Sequence, residues 1–136
     1  MYNLYQKPSA WALVRGGGAG GFVHFYPAEG GTLVRADIYG LPPEGFFAFH
    51  IHSGPDCANP GGHYNPTGSA HPLHAGDLPP LLSYKGRARM TVMTDRFTPE
   101  AVIGKTVVIH SGPDDFRTQP SGDPGPVLAC GEIHGV

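Results

Sequence analysis

Glycine and proline interrupt this chain so often that it is expected to form few long helices. The 136 residues include 21 glycines and 15 prolines, about a quarter of the sequence, and both residue types disfavour helix interiors. Between them lie short apolar runs with alternating character, the pattern of half-buried strands. The length is usual for one domain with its own core. We therefore predict a single all-β domain over residues 1–136, a sandwich or flattened barrel.

The predicted strands follow these alternating runs. They cover residues 10–15, 21–28, 32–39, 46–52, 84–94, 106–110 and 127–133. The runs at 21–28 and 32–39 flank a Glu-Gly-Gly turn and should form a β-hairpin. Residues 98–103 fit either one helical turn or a short strand, so the count is about eight strands. Two long Gly/Pro-rich loops are predicted, at 53–83 and 111–126.

Composition argues against several classes of function. The formal net charge of −2 gives no case for a nucleic-acid partner. No apolar run approaches the roughly 18 residues of a membrane span. The N-terminus has no apolar segment followed by a cleavage pattern, as a signal peptide would. A cytoplasmic location is therefore expected, or a periplasmic or secreted one if a leader has been removed.

The segment 49–77 concentrates side chains that bind metals, including five of the eight histidines. His50 and His52 should project together, because residues two apart on a strand share a face, while Phe49 and Ile51 face the core. His110 ends another predicted strand and could face the same site. With His63 from the loop, these histidines make four imidazoles, a set that suits copper.

A second set of ligands lies within the loop itself. His63, His71, His74 and Asp77 offer three nitrogens and one carboxylate, which match a closed zinc site that would order the loop. Both sets include His63, whose two ring nitrogens can each bind a metal. Cys57 and Cys130 are compatible with free thiols or with a disulfide that would pin the loop.

Several motifs together resemble the Cu,Zn superoxide dismutase family, particularly its bacterial members. The similar segments cover nearly the whole chain. They include FHIH at 49–52, GGHYNP at 61–66, HAGDL at 74–78, GKTVVIH at 104–110 followed by two aspartates, QPSGDPG at 119–125 and LACGEI at 128–133. The resemblance implies an eight-stranded, immunoglobulin-like Greek-key β-sandwich or flattened barrel with two long loops.

The resemblance also implies a role for each candidate residue. Copper would be held by His50, His52, His63 and His110, and zinc by His63, His71, His74 and Asp77. Cys57 and Cys130 would form a disulfide. Asp114 would link a copper-ligand histidine to a zinc-ligand histidine and so fix the orientation of both rings.

The activity implied is conversion of superoxide, a small anion, to O2 and hydrogen peroxide by redox cycling of copper, with a structural zinc. His63 would be catalytic, because it would release copper and take up a proton when copper is reduced. Membership of this family is compatible with a monomer or a homodimer.

One departure from the family lies at Val127, three residues before Cys130, where the family has an arginine beside copper. That arginine would attract and orient a small anion, so its absence predicts a reduced rate. It also leaves an alternative function, a copper-binding or buffering protein with weak or no dismutase activity.

Overall fold

A computed structural model describes residues 6–136, so the first five residues of the predicted domain lie outside it. The described chain forms eight strands and one short helix. They are β1 (Ala10–Gly16), β2 (Ala19–Ala28), β3 (Gly31–Tyr39), β4 (Glu44–His52), β5 (Asp77–Tyr84), β6 (Ala88–Thr94), α1 (Pro99–Val102), β7 (Thr106–His110) and β8 (Val127–Gly135). The predicted all-β class is confirmed. The single helix in this part of the chain is far too short to span a bilayer.

The eight strands form one antiparallel sheet in the order β5-β4-β7-β8-β1-β2-β3-β6. The predicted hairpin is confirmed, since β2 pairs with β3 from Ala28 opposite Gly31 onwards. Three neighbouring pairs, β4 with β7, β8 with β1 and β3 with β6, are not consecutive in sequence. These crossing connections give the Greek-key arrangement. A tight turn joins β5 to β6, which brings the two ends of the strand order together in a flattened barrel.

The barrel interior is filled by alternate residues of the strands. Phe25 on β2, Phe49 and Ile51 on β4 and Ile109 on β7 are all fully buried in one hydrophobic cluster. Each such side chain contributes about 1.5–3 kcal/mol by leaving water. The opposite face of β4 is buried as well, because the long loops cover it. The histidines of β4 therefore lie between the barrel wall and these loops.

The predicted loop over residues 53–83 is wrong at its C-terminal end, where residues 77–84 form β5. Pro79 and Pro80 conceal this strand, because proline cannot donate to a ladder of hydrogen bonds. β5 accommodates them at the end of the strand order, where its register with β4 shifts between Phe47 and Phe49. On the other side of β4, the intervening Ala48 donates its N–H to Gly112 O, just after the end of β7, at 3.0 Å.

Two other predicted elements differ in detail. The predicted strand at 84–94 begins only at Ala88, because Lys85 and Gly86 adopt positive φ in the turn that follows β5. The ambiguous residues 98–103 contain the helical turn α1, which has Pro99 in its first turn, where a missing N–H costs nothing.

Candidate metal centre

Histidine side chains converge on the loop-covered face of β4. One ring nitrogen from each of His50, His52 and His110 lies within 4.8 Å of the other two. His63 comes from the loop, forms an isolated bridge with His52, and has its ring centroid 4.1 Å from that of His50. The four histidines predicted to hold copper are thus neighbours in the structure.

Unpaired ring nitrogens indicate which atoms face a metal. In the predicted copper set, one ring nitrogen of each histidine is buried without a hydrogen-bond partner in the described chain: His50 Nδ1, His52 Nε2, His63 Nε2 and His110 Nε2. A buried polar atom without a partner costs about 1–3 kcal/mol. Four such nitrogens together are explained if they are ligands, and a nitrogen-rich donor set fits copper.

The other ring nitrogen of three of these histidines is bonded to the protein. His52 Nδ1 donates to Gly61 O at 2.7 Å, and His110 Nδ1 donates to Gly125 O at 2.8 Å. His50 Nε2 donates to Asp114 Oδ2 at 2.8 Å. These bonds fix the tautomer of each ring, so that the lone pair lies on the unpartnered nitrogen.

The three histidines predicted to bind zinc all lie within 3.0 Å of the Asp77 carboxylate. His63 Nδ1 lies 2.8 Å from Asp77 Oδ1, and His71 Nδ1 and His74 Nδ1 each lie 3.0 Å from Oδ2. A tetrahedral zinc ion with bonds of about 2.0–2.2 Å places its ligand atoms roughly 3.3 Å apart. His71 Nδ1 makes no hydrogen bond despite its short distance to Asp77. Its lone pair and the Asp77 carboxylate can therefore face the same ion. Three imidazole nitrogens and one carboxylate at these distances fit zinc.

The two donor sets meet at His63. A grouping by distance alone joins His50 with His63, His71 and Asp77. We instead place His74 in the zinc set, because its Nδ1 lies 3.2 Å from His63 Nδ1 and 3.0 Å from Asp77. The Nε2 of His50 is bonded to Asp114, and its Nδ1 belongs to the copper set. His63 alone turns one nitrogen toward each set.

Asp114 bonds to one histidine of each set, at the ring nitrogen opposite the unpartnered one. Its Oδ2 accepts the hydrogen bond from His50 Nε2, and its Oδ1 accepts one from His71 Nε2 at 2.7 Å and one from Phe116 N at 2.8 Å. Burial by itself would raise the pKa of Asp114, but the hydrogen bonds from His71 and His50 outweigh it and lower the pKa. The carboxylate is therefore ionised at neutral pH and accepts from both rings.

Gly122 packs directly on the bond between His71 and Asp114, and we expect Gly122→Ala to break that bond. A Cβ at this position would lie 2.1 Å from Asp114 Oδ1 and 2.6 Å from His71 Nε2, and φ is +80°. Loss of an outer hydrogen bond of this kind lowers metal affinity by roughly tenfold or more. Competition titration with zinc measures the loss.

Gly104→Ala is the matched control for this change. Gly104 has φ of +86° but no atom within 4 Å of its added Cβ. Gly104→Ala therefore places an alanine at positive φ, with the same backbone strain, but its Cβ does not collide with Asp114 or His71. Equal zinc affinity in the two variants would contradict the role of Gly122.

Burial also keeps three histidines of the copper set, His50, His52 and His110, neutral. It lowers the pKa of His50 to about 4 and that of His52 to about 4, and it lowers the pKa of His110 as well. Neutral imidazole is the form that binds metal. These three histidines can therefore bind a metal at neutral pH without first losing a proton.

The metal-free protein should lose stability as the pH falls from about 6.5 toward 4. Unfolded histidines titrate near pH 6.5, whereas His50 and His52 titrate near 4 in the folded state. In that interval the unfolded chain binds more protons, so the free energy of unfolding decreases with falling pH and is fully restored above about 6.5. Urea denaturation at pH 7 and pH 5 measures it. Identical midpoints at the two pH values would contradict this origin.

A disulfide joins the loop after β4 to strand β8. Cys57 and Cys130 are bonded, with Cα atoms 5.9 Å apart across 73 positions of sequence, as the resemblance implied. The bridge holds the segment that contains Gly61, which is the acceptor for His52. It therefore supports the copper set as well as the fold.

Val127 lies beside the copper set. It pairs with His110 across β7 and β8, and side chains opposite each other in such a pair are about 5 Å apart. Val127 is 48% exposed. A side chain at this position is thus close to a ligand and open to solvent, which is where a charge would act on an incoming anion.

Several supporting groups were not predicted from the sequence. The carbonyls of Gly61 and Gly125 carry no side-chain signal, and only the glycine-rich loops around them indicate close backbone approach. Arg96 Nη1 donates to the carbonyl oxygens of Pro72 and His74 at 3.2 and 3.0 Å. Gln119, within the QPSGDPG segment, bonds to the backbone of His71.

Comparison with known proteins identifies the family to which these donor sets belong. The sequence model of the copper/zinc superoxide dismutases matches residues 19–133 of this chain. The chain belongs to the copper/zinc superoxide dismutase family. Copper and zinc are the metals of that family.

Relatives from distant organisms support the same assignment. Superoxide dismutase (Cu-Zn) 2 of Aquifex aeolicus is 37% identical over 123 residues, which cover 76% of this chain and 72% of the relative. The Neurospora crassa enzyme is also 37% identical, covering 75% and 79%. The Deinococcus radiodurans enzyme is 31% identical over 144 residues, covering 85% and 78%.

A solved structure shares the fold along its full length. The crystal structure of the clock protein EA4 is 28% identical to this chain, with a TM-score of 0.84, and the match covers all of both chains. The predicted Greek-key β-sandwich is therefore confirmed by a structure as well as by the strand order.

Proposed function

We propose that this chain is a superoxide dismutase with both metal sites in one domain over residues 1–136. Copper would be held by His50, His52, His63 and His110, and zinc by His63, His71, His74 and Asp77. The observation that carries this proposal is the position of His63. Its Nε2 is buried without a partner beside the copper set, while its Nδ1 lies 2.8 Å from Asp77.

The reaction consumes two superoxide anions and two protons and yields O2 and hydrogen peroxide. Copper, when bound, supplies the one-electron oxidation and reduction that this reaction needs. His63 can hold a proton at Nε2 while its Nδ1 remains beside Asp77. His50, His52 and His110 keep their orientation throughout, because the second nitrogen of each ring is bonded to Asp114, Gly61 or Gly125.

A superoxide assay of the copper- and zinc-loaded protein tests this function. We expect activity far above that of the metal-free protein, and loss of most of it in His63→Ala. His24→Ala is the control, because His24 lies on β2 outside both donor sets. A loaded protein that is no faster than the metal-free protein would rule the proposal out.

Val127→Arg should raise the rate and make it more sensitive to salt. A positive charge beside His110 would attract an anion, and electrostatic steering accelerates association by about tenfold or more. The effect should shrink at high ionic strength, because salt screens the charge. Val127→Met is the control for size without charge. If both variants react equally fast at low salt, steering at this position is not limiting.

Val127 also favours a second candidate function, a copper-binding or buffering protein with weak activity. Full copper occupancy together with turnover near background would support it over the dismutase. For the dismutase we propose superoxide as the small-anion substrate and a monomer or homodimer. We propose a cytoplasmic location, or a periplasmic or secreted one if a leader has been removed. Analytical ultracentrifugation of the loaded protein measures the oligomeric state.

A further inference from the structure

The side-chain amide of Gln119 pairs with the backbone of His71. Gln119 Oε1 accepts the His71 N–H at 2.8 Å, and Gln119 Nε2 donates to His71 O at 2.7 Å. The amide thus satisfies both polar backbone groups of one residue, as a neighbouring strand would. Gln119 Nε2 also donates to Arg117 O at 3.1 Å, which ties the amide to its own loop.

His71 is therefore held at three points by a segment that is distant in sequence. Gln119, 48 positions away, holds its backbone N–H and C=O, and Asp114 holds its ring through Nε2. A ring fixed at Nε2 alone could still pivot about that atom. Fixing the backbone as well determines where Nδ1 lies relative to Asp77 Oδ2, 3.0 Å away.

The contacts of Gln119 reach one donor set only. Asp114 bonds to His50 of the copper set as well as to His71 of the zinc set. The hydrogen bonds that the structure describes for the Gln119 side chain go to His71 and Arg117. A change at Gln119 should consequently move the zinc set and leave the copper set in place.

We propose that Gln119 is a positioning residue for zinc, through which the loop between β7 and β8 sets zinc affinity independently of copper affinity. This inference rests on the zinc assignment proposed above. Gln119 is exposed, so its replacement should leave the folded barrel intact. Its effect is expected on the metal that His71 binds.

Metal titrations of three variants test the proposal. Gln119→Met keeps the length of the side chain but removes both hydrogen bonds. Gln119→Asn keeps the amide but is one methylene too short to reach. Ser121→Ala is the control, two residues away in the same loop. It removes one hydrogen bond, from Asp123 N, that reaches neither donor set. Zinc affinity should fall about tenfold in both Gln119 variants and remain at the wild-type value in Ser121→Ala, while copper affinity stays constant in all three.

Cobalt(II) in place of zinc provides a second readout. Its visible absorption reports ligand geometry, so the spectrum should change in Gln119→Met and match wild type in Ser121→Ala. Unchanged zinc affinity in Gln119→Met, or an equal loss of copper and zinc affinity, would overturn the inference. If wild type itself binds no zinc at His71, the proposed function fails instead, and the two failures are distinct.

Discussion

Asp114→Asn is expected to weaken the binding of both metals by roughly 10–100-fold each. One carboxylate accepts hydrogen bonds from His50 Nε2 and His71 Nε2. An asparagine offers one oxygen and one NH2 group, so one of the two rings must face a donor. That ring can pair with the NH2 group only by moving its proton to Nδ1. Nδ1 is the atom that faces the metal in both histidines, so the metal loses a lone pair.

The larger loss should occur at the site whose histidine faces the NH2 group. The other site still loses a charge-assisted hydrogen bond, which is stronger than a neutral one. Asp123→Asn is the matched control, because Asp123 is exposed in the same loop and its φ of +50° suits asparagine equally. Competition titrations with copper and with zinc give both affinities. Wild-type affinity at either site would show that Asp114 does not orient that ring.

Removal of the disulfide should have the largest effect on stability. The double variant Cys57→Ser/Cys130→Ser is expected to lose about 4 kcal/mol of unfolding free energy, as the chain-entropy model gives for a closed loop of this length. The bridge spans 73 positions, so its absence greatly increases the freedom of the unfolded chain. Urea denaturation of the metal-free protein measures the loss.

Reduced wild-type protein is the appropriate control for this variant. If the bond itself is the cause, a reducing agent should bring wild type to the stability of the double variant. The double variant should be insensitive to the same agent. A double variant within about 1 kcal/mol of oxidised wild type would contradict the expectation, given the usual 2–5 kcal/mol for such bonds.

The residues predicted to bind metal could be identified from the sequence because their geometry is local or their motif is specific. His50 and His52 share a face through strand periodicity alone, and the loop histidines lie close to Asp77 in sequence. The contact of Asp114 with both rings and the pairing of Cys57 with Cys130 required the family resemblance. Nothing in composition or spacing indicates which distant residues meet.

The supporting contacts could not be predicted for a related reason. Gly61 and Gly125 act through backbone carbonyls, which every residue possesses. Gln119 and Gly122 matter only because two loops, far apart in sequence, lie against each other at His71. β5 was missed for a different reason, since Pro79 and Pro80 are rare in strands and its place at the end of the order makes them tolerable.

These two prolines also affect how readily the edge of β5 can pair with a strand of another molecule. A strand at the end of a hydrogen-bonded order offers unpaired N–H groups to any extended segment that approaches it. Pro79 and Pro80 have no N–H to offer. Because successive N–H groups of a strand point to opposite sides, one of the two prolines removes a donor from the outer edge of β5. The residues that hide β5 in the sequence thereby make its outer edge a poorer partner for an added strand.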